Sequence, residues 1–140
     1  MTRKTKAEKD EEEEKLKTGY IYCITNNINN QCYIGQTIQT VEKRFKHHCS
    51  SAKRGQSSPL YDDMRAFGIE YFTVQTLQMV EECGHGMKHI LDEHEKNWIK
   101  TVQTLYPQGY NVTPGGHMNK RKCKYYAKRK RAIEMQNILC

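Results

Sequence analysis

The sequence predicts an α+β domain, in which a small three-stranded antiparallel sheet is flanked by helices in the order ββααβα. Two observations lead to this fold class. Two short β-branched and aromatic segments surround an asparagine-rich turn, and a third such segment follows two helical ones. A long stretch with helical periodicity then closes the domain. A chain of 140 residues has room for one such domain with tails at its ends.

The first two strands are predicted from the segments on either side of the asparagine-rich turn. Residues 20–25 and 31–35 are rich in tyrosine and isoleucine, a composition typical of strands. Asparagines at four positions between them indicate the turn, because asparagine tolerates the backbone conformations that tight turns need. The two segments are therefore predicted to form a hairpin.

The register of this hairpin determines which side chains share a face of the sheet. If the turn centres on residues 27–28, Tyr22 lies directly opposite Tyr33, and Cys23 lies opposite Cys32. Two phenols would then stand on one face and two thiols on the other. Such a pair is either an ordinary cross-strand aromatic contact or the lining of a site, and a bulge in the turn would change the pairing.

Two helices are predicted after the hairpin. The first runs from residue 41 to residue 53, with Thr40 as its N-cap. The second begins at Ser58-Pro59, where serine caps the helix and proline occupies its first position, and it ends at Gly68. The predicted apolar face of the first helix consists of Val41, Phe45, His48 and Ala52.

A third strand and a long helix complete the predicted domain. Residues 71–79 form the strand, a polar loop covers residues 81–87, and the helix runs from about residue 88 to residue 105. A strap rich in glycine and proline follows. The buried stripe of the long helix is predicted to consist of Leu91, Trp98, Val102 and Leu105.

Glu95 lies within this apolar stripe. A carboxylate on a buried helix face is costly unless it is paired with a charge or holds a cation. A buried salt bridge, for instance to Arg44, and a functional carboxylate are both open interpretations.

Arg44 itself is four residues before His48, so the two side chains project side by side from the first helix. This pair suits phosphate binding with acid–base chemistry, although an ordinary basic helix surface has the same pattern.

Several of these residues fit one known pattern. Gly19-Tyr20-Ile21-Tyr22 and, eleven residues later, Tyr33-Ile34-Gly35 resemble the paired motif that names the GIY-YIG nucleases, with Tyr20 inserted. Arg44 with His48 one turn later, and Glu95 just before Trp98-Ile99, resemble the family as well. The resemblance covers about residues 19–117 and suggests a stand-alone catalytic domain of the homing type.

The strap at the end of the domain extends the resemblance. Gly109-Tyr110-Asn111-Val112-Thr113-Pro114-Gly115-Gly116 is similar to the closing segment of the family, whose asparagine belongs to the site. One departure concerns proton transfer. Some members carry a second histidine shortly before a Ser-Ser step, where this chain has Gln56, so no catalytic histidine is carried over to that region.

The resemblance implies an endonuclease that hydrolyses DNA phosphodiester bonds with a divalent cation, Mg²⁺ or Mn²⁺. Glu95 would hold the metal, and Arg44 would bind the scissile phosphate. Tyr22 or Tyr33 would orient or deprotonate the attacking water, His48 would assist, and Asn111 would support the site. The catalytic set implied by the family is therefore Tyr22, Tyr33, Arg44, His48, Glu95 and Asn111.

The two ends of the chain differ in charge. Residues 1–17 are rich in Lys and Glu with few hydrophobes, so they are expected to be a disordered arm or a frayed helix beside the domain at residues 18–117. Residues 118–140 contain eight basic residues and one Glu, which accounts for the whole net charge of +7. A DNA-gripping tail and a solvated or nuclear-targeting run both fit. The predicted DNA-binding residues are Lys120, Arg121, Lys122, Lys124, Lys128, Arg129, Lys130 and Arg131.

Composition also bears on the location of the protein and on metal sites formed by cysteines. No apolar run is long enough to span a bilayer and no secretory signal is evident, which predicts an intracellular protein, with a viral origin compatible. The six cysteines contain no Cys-x-x-Cys pair. Cys83, His85 and His89 would share a metal only if a fourth ligand joined them, and three unrelated side chains are the simpler interpretation. No obligate protein partner is evident.

Two functions from other classes compete with an endonuclease. The first is a non-catalytic DNA-binding protein that retains the nuclease scaffold. The second is an adaptor whose tail binds acidic proteins. The nuclease is favoured because a scaffold alone does not require a glutamate on a buried helix face.

Overall fold

The computed structural model describes residues 3, 5–8, 16–82 and 86–116, and it confirms the predicted element order. A short 3-10 helix, which the sequence did not indicate, precedes the third strand, and residues 6–8 are helical. The elements are β1 (Lys17–Asn26), β2 (Cys32–Thr37), α1 (Val41–Lys53), α2 (Pro59–Phe67), the 3-10 helix (Ile69–Tyr71), β3 (Phe72–Glu82) and α3 (Met87–Val102).

Parts of three predictions lie outside the described residues. They are most of the N-terminal arm, the whole basic tail at 118–140, and Cys83 with His85. His89 is described and exposed. Within the described part of the chain, no three His, Cys, Asp or Glu residues are grouped so that they could hold a metal ion.

The sheet is antiparallel throughout, with strand order β2-β1-β3. Both of its faces are covered, which gives the domain two hydrophobic clusters. On one face, Tyr22 and Ile24 of the central strand pack with residues of α1 and α2. On the other face, Ile21 and Cys23 pack with Met87, Leu91 and Ile99 of α3. Alternate residues of β1 thus point to opposite layers, as strand geometry requires.

The hairpin register differs from the predicted one. Tyr22 pairs with Gly35, and Tyr33 pairs with Ile24, so the direct opposition of Tyr22 to Tyr33 and of Cys23 to its partner cysteine was wrong. Because side chains alternate along a strand, a shift of two positions leaves the two tyrosines on one face. The predicted grouping of phenols therefore survives the wrong register.

The cause of the shift is the length of the turn. The amide of Asn26 donates to the carbonyl of Gln31 at 2.9 Å, so four residues form the loop instead of two. Asn30, the last of the four, adopts a left-handed conformation with φ 62°. Asparagine takes this conformation more readily than most residues, which allows the longer loop.

The first two helices begin and end where capping residues predict. The hydroxyl of Thr40 accepts a hydrogen bond from the amide of Lys43, and the hydroxyl of Ser58 accepts one from the amide of Tyr61. Each bond satisfies an amide that the helix itself leaves unpaired. The two helix starts matter for function because α1 carries Arg44 and His48.

The last helix is shorter than predicted. It ends at Val102 because Gln103 adopts the left-handed conformation with φ 60°, and the backbone N–H of Gln103 caps the helix by donating a hydrogen bond to the carbonyl of Ile99. Val102 is 42% exposed and Leu105 lies beyond the helix, so the predicted stripe was wrong at both positions. Met87, Leu91 and Ile99 form the buried face instead. Glu95 lies midway between the last two, on the same side of the helix.

Candidate active site

A hydrogen-bonded chain of three side chains lies between the sheet and the first two helices. The phenol oxygen of Tyr22 is 2.7 Å from Nε2 of His48, and Nδ1 of His48 is 2.8 Å from the phenol oxygen of Tyr61. Tyr22 comes from the central strand, His48 from the middle of α1 and Tyr61 from the first turn of α2. Tyr22 and His48 are 1% and 2% exposed, so the pair is held in a fixed geometry.

Tyr33 stands beside this chain on the same face of the sheet. Its ring centroid is 5.4 Å from that of His48 in an edge-on arrangement, and 6.3 Å from that of Tyr22. These distances are typical of aromatic contacts that stabilise a cluster. Burial raises the pKa of Tyr33 well above its ordinary value. Both strand tyrosines and His48 therefore form one aromatic cluster.

Gly35 makes room for the Tyr22 phenol. A Cβ atom at this position would overlap the phenol oxygen of Tyr22 and lie 2.5 Å from its Cζ atom. Since Gly35 is the cross-strand partner of Tyr22, the ring lies across the glycine backbone. Any larger residue would push the phenol away from His48.

Arg44 brings a permanent positive charge to the same phenols. Burial raises the pKa of Tyr22 to about 12, and the Arg44 guanidinium opposes this rise by favouring the phenolate. The same charge lowers the pKa of Tyr33. Arg44 projects from α1 one turn before His48, and its side chain is half-buried. A guanidinium placed here can bind a phosphate next to the phenols through charge-assisted hydrogen bonds.

Glu95 lies on α3, the helix that packs on the other face of the sheet. Its negative charge raises the pKa of both Tyr22 and Tyr33, which opposes the effect of Arg44 on the same two phenols. Burial raises the pKa of Glu95, while hydrogen bonds from Gln36 and from the backbone of Gly116 lower it. The charged form of this carboxylate is therefore less favourable than in water, and a bound cation would stabilise it.

The closing strap passes directly over Glu95. The amide of Gly116 donates to Oε1 of Glu95 at 3.3 Å. Gly116 has φ 76°, a conformation that favours glycine, and a Cβ there would lie 2.8 Å from Cε of Lys96. Glycine thus lets the strap approach α3 closely enough to bind the carboxylate.

The chemistry of these donors fits Mg²⁺ held by few protein ligands. Mg²⁺ keeps several waters and is often bound by one or two carboxylates together with phosphate oxygens of the substrate. Glu95 supplies one half-buried carboxylate, and Asp92 lies one turn before it on α3. Asp92 is already engaged, because it accepts a hydrogen bond from Gln36 at 2.6 Å and pairs with Lys88 at 3.0 Å. A single-carboxylate site with substrate phosphate as co-ligand is therefore the arrangement that fits.

Asn111 supports the strand that carries Tyr33. Its side-chain oxygen accepts from the amide of Ile34 at 2.9 Å and from the hydroxyl of Thr104 at 2.7 Å, and its Nδ2 donates to the carbonyl of Ile34 at 2.8 Å. Both polar atoms of the side chain are thus engaged, with the backbone of β2 and with Thr104, which lies just after α3. These hydrogen bonds indicate a supporting role for Asn111.

The fold thus gathers five of the predicted site residues around one cluster and places Asn111 behind it. Sequence reasoning missed Tyr61, Gly35 as the seat of Tyr22, and Gln36 as a donor near the carboxylates. Tyr61 has no local signal, because a tyrosine in the first turn after an N-cap serine is an ordinary helix residue. Gly35 was visible in the motif, but its contact with Tyr22 depends on the register that was predicted wrongly.

A family model described as the GIY-YIG catalytic domain matches residues 18–111. The chain belongs to the GIY-YIG family. Its fold, an open three-stranded antiparallel sheet with flanking helices, is similar to that of a point-mutant form of the catalytic domain of intron endonuclease I-TevI. The TM-score is 0.60 at 28% sequence identity, and the match covers 72% of this chain and 99% of the other. The predicted family and fold class are confirmed.

The relatives that the chain matches include proteins of viruses. Uncharacterized protein 019R of Invertebrate iridescent virus 6 is 42% identical over 66 residues, covering 47% of this chain and 24% of the relative. Intron-associated endonuclease 1 of Enterobacteria phage T4 is 32% identical over 97 residues, covering 69% of this chain and 37% of the relative. The GIY-YIG chain thus spans less than two fifths of the length of either relative. Among its described residues, no helix is long and apolar enough to cross a membrane.

Proposed function

We propose that this GIY-YIG protein is a metal-dependent endonuclease that hydrolyses phosphodiester bonds of DNA. The observation that carries the proposal is the hydrogen-bonded chain from Tyr22 through His48, which lies beside the charges of Arg44 and Glu95. A structural core does not require two opposite charges around buried phenols. This combination suits a site that activates a water beside a phosphate, because proton transfer and stabilisation of developing charge both need positioned groups.

The attacking water is proposed to lose its proton to the Tyr22 oxygen. Because the pKa of Tyr22 is about 12, the phenol is protonated at neutral pH and cannot accept a proton unless it gives up its own. His48 Nε2, at 2.7 Å, is placed to receive that proton as the water's proton arrives. The relay moves one proton from water to Tyr22 and one from Tyr22 to His48, so no free phenolate is needed.

Arg44 and Glu95 act on the phosphate in this proposal. The guanidinium of Arg44 binds the scissile phosphate and offsets the negative charge that develops in the transition state. Glu95 holds the divalent cation, Mg²⁺ or Mn²⁺, which supplies Lewis-acid polarisation of a phosphate oxygen when bound. Tyr33 packs edge-on against His48 and restricts the movement of its ring.

A plasmid assay tests the proposed function. The full chain is expected to convert supercoiled plasmid to nicked or linear DNA when Mg²⁺ or Mn²⁺ is present, and EDTA is expected to abolish the reaction. Salt-sensitive DNA binding with no cleavage in either metal would contradict the proposal and support a scaffold that only binds DNA. Binding of acidic proteins without affinity for DNA would support an adaptor.

Tyr61 is proposed to set the tautomer of His48. For Nε2 to accept a proton from Tyr22, Nδ1 must carry the other ring proton and donate it to the Tyr61 oxygen, which is 2.8 Å away. Tyr61→Phe removes this acceptor, so the wrong tautomer becomes populated and the single-turnover rate is expected to fall about tenfold, part of the roughly 10²–10⁴-fold that acid–base catalysis contributes. KM for DNA is expected to stay unchanged.

Tyr71→Phe provides the matched control for this prediction. Tyr71 is 44% exposed and lies in the 3-10 helix, away from His48, so its hydroxyl has no part in the relay. Rates measured across pH report the tautomer effect as a changed profile and not only as a lower plateau. Equal rates in the Tyr61 and Tyr71 variants would show that the hydrogen bond to Nδ1 has no catalytic role.

The basic tail is proposed to add phosphate contacts to those of the domain. Its eight cations at residues 118–140 follow the domain in the sequence, and cations interleaved with tyrosines suit a polyanion whose bases also stack. Such contacts raise affinity for any DNA sequence and leave the choice of target to other features.

A further inference from the structure

A groove opens beside the candidate active site. It has a volume of about 850 Å³ and lies between the start of β1, the end of β2, the loop into α1, and the first turns of α1 and α3. Arg44 and Gln36 line it, and both also contribute to the site through the phenols and Glu95. The groove is therefore continuous with the place where the scissile phosphate would bind.

The charge of the groove is positive. Lys17, Arg44 and Lys88 line it together with His47, and none of the described lining residues is an Asp or Glu. Three carboxylates outside the lining oppose this charge. Asp92 pairs with Lys88 at 3.0 Å, Glu82 is the cross-strand partner of Lys17, and Glu95 is hydrogen-bonded to Gln36. None of these carboxylates lines the groove, so the charged side chains that a ligand in the groove would meet are the cations.

The remaining lining suits a sugar-phosphate strand. Gln36 and other uncharged polar residues offer hydrogen bonds, and Leu91 and Met87 form an apolar floor against Gly19. Ile38 stands at the rim and is 72% exposed.

We propose that this groove binds the DNA strand that flanks the scissile phosphate, with Lys17 and Lys88 each contacting a phosphate beyond the one at Arg44. The proposal rests on the proposed function, because it takes DNA as the substrate of the site next to it. It assigns DNA contact to the folded domain itself, in addition to the basic tail. The contacts are to the backbone, so they position the strand and do not read its sequence.

The test is a measurement of DNA binding without cleavage. All variants carry Glu95→Gln, since Lys88 also lowers the pKa of Glu95 and would otherwise affect cleavage directly. Affinity for a short fluorescein-labelled duplex is measured by anisotropy at several salt concentrations. Adding Lys17→Gln is expected to reduce the slope of log K against log salt by about 0.9, and adding Lys88→Gln as well by about 1.8.

Lys100→Gln is the matched control. Lys100 is exposed in the last turn of α3, far along the helix from Lys88, and its loss changes the net charge by the same amount. A slope reduced by Lys17→Gln and unchanged by Lys100→Gln supports the groove. Equal slopes in the two variants overturn it, because the effect would then come from overall charge alone.

The readout separates this proposal from the proposed function. If the wild-type chain fails to cleave plasmid but Lys17→Gln still lowers the salt slope selectively, the groove stands as a DNA-binding surface. If the chain cleaves but the Lys17 and Lys100 variants bind alike, the groove proposal fails while the endonuclease stands. Thermal unfolding of each variant confirms that Lys17→Gln, at the exposed start of β1, leaves the fold intact.

Discussion

Glu95→Gln is expected to lower the rate of Mg²⁺-dependent DNA cleavage by at least about 10³-fold. Metal-assisted stabilisation of a transition state supplies several kcal/mol, and about 4 kcal/mol corresponds to a factor of about 10³. Glutamine keeps the size of the side chain and can still accept the hydrogen bond from the Gly116 amide, but it lacks the charge that holds the cation. The measurement is the nicking rate of supercoiled plasmid over time.

The thermal stability of this variant distinguishes a functional carboxylate from a structural one. Burial raises the pKa of Glu95, so the folded state binds this proton more tightly than the unfolded chain does. At neutral pH the ionised carboxylate therefore costs stability, and the neutral amide removes that cost. The melting temperature of Glu95→Gln at pH 7 is expected to equal or exceed that of the wild type. If Glu95 instead formed a stabilising buried salt bridge with Arg44, the melting temperature would fall.

Glu93→Gln serves as the control on the same helix. Glu93 is exposed and pairs with Lys96 at 3.5 Å, an arrangement that contributes little to stability. Its variant is expected to cleave at the wild-type rate. Retention of more than about a tenth of the wild-type activity by Glu95→Gln would refute the assignment of the metal to this carboxylate.

The sequence predicts the elements of this fold well because each is indicated by short-range patterns. Thr40 and Ser58 cap helices that begin where these residues predict, since a capping bond involves residues only three apart. The hairpin register was predicted wrongly because it depends on the loop length, and Asn30 adopts a left-handed conformation that the composition does not require. The end of α3 was misplaced for a similar reason, as glutamine at position 103 is an unusual helix terminator.

The residue pattern alone singled out Glu95 because its chemistry contradicts its surroundings, whereas the full set of site residues came from the family resemblance. Glu95 was visible because a carboxylate interrupts an apolar helix face, and its position between Leu91 and Ile99 preserves that reasoning although other stripe residues were wrong. Tyr61 was invisible because a tyrosine fits an α-helix without conflict. Its role depends on the packing of α2 beside α1, which places it 2.8 Å from His48 across 13 residues of sequence. Contacts of this kind follow from tertiary structure and have no signature in the local sequence.

Gly35→Ala is expected to reduce cleavage about 100-fold or more, although alanine adds only one methyl group. That Cβ would overlap the phenol oxygen of Tyr22 and lie 3.0 Å from Cε1 of Tyr33. Tyr22 is 1% exposed and cannot swing into solvent, so its ring must shift within the core and away from His48. A misplacement of about 1 Å in a catalytic group can cost roughly 10²-fold in rate.

The same substitution is expected to lower stability by about 1–3 kcal/mol, the usual cost of overpacking a core. Denaturant unfolding measures this loss, and the cleavage assay is run where the variant is still fully folded. Gly86→Ala is the control, because the nearest side-chain atoms to a Cβ there are 3.8 Å away and no clash arises.

If Gly35→Ala has these effects, the glycine of the Tyr33-Ile34-Gly35 motif is explained by the Tyr22 phenol that lies across it, since Gly35 does not adopt a positive φ. Wild-type cleavage by folded Gly35→Ala would show that the distance from Tyr22 to His48 does not control the reaction, and the proton relay would have to be abandoned.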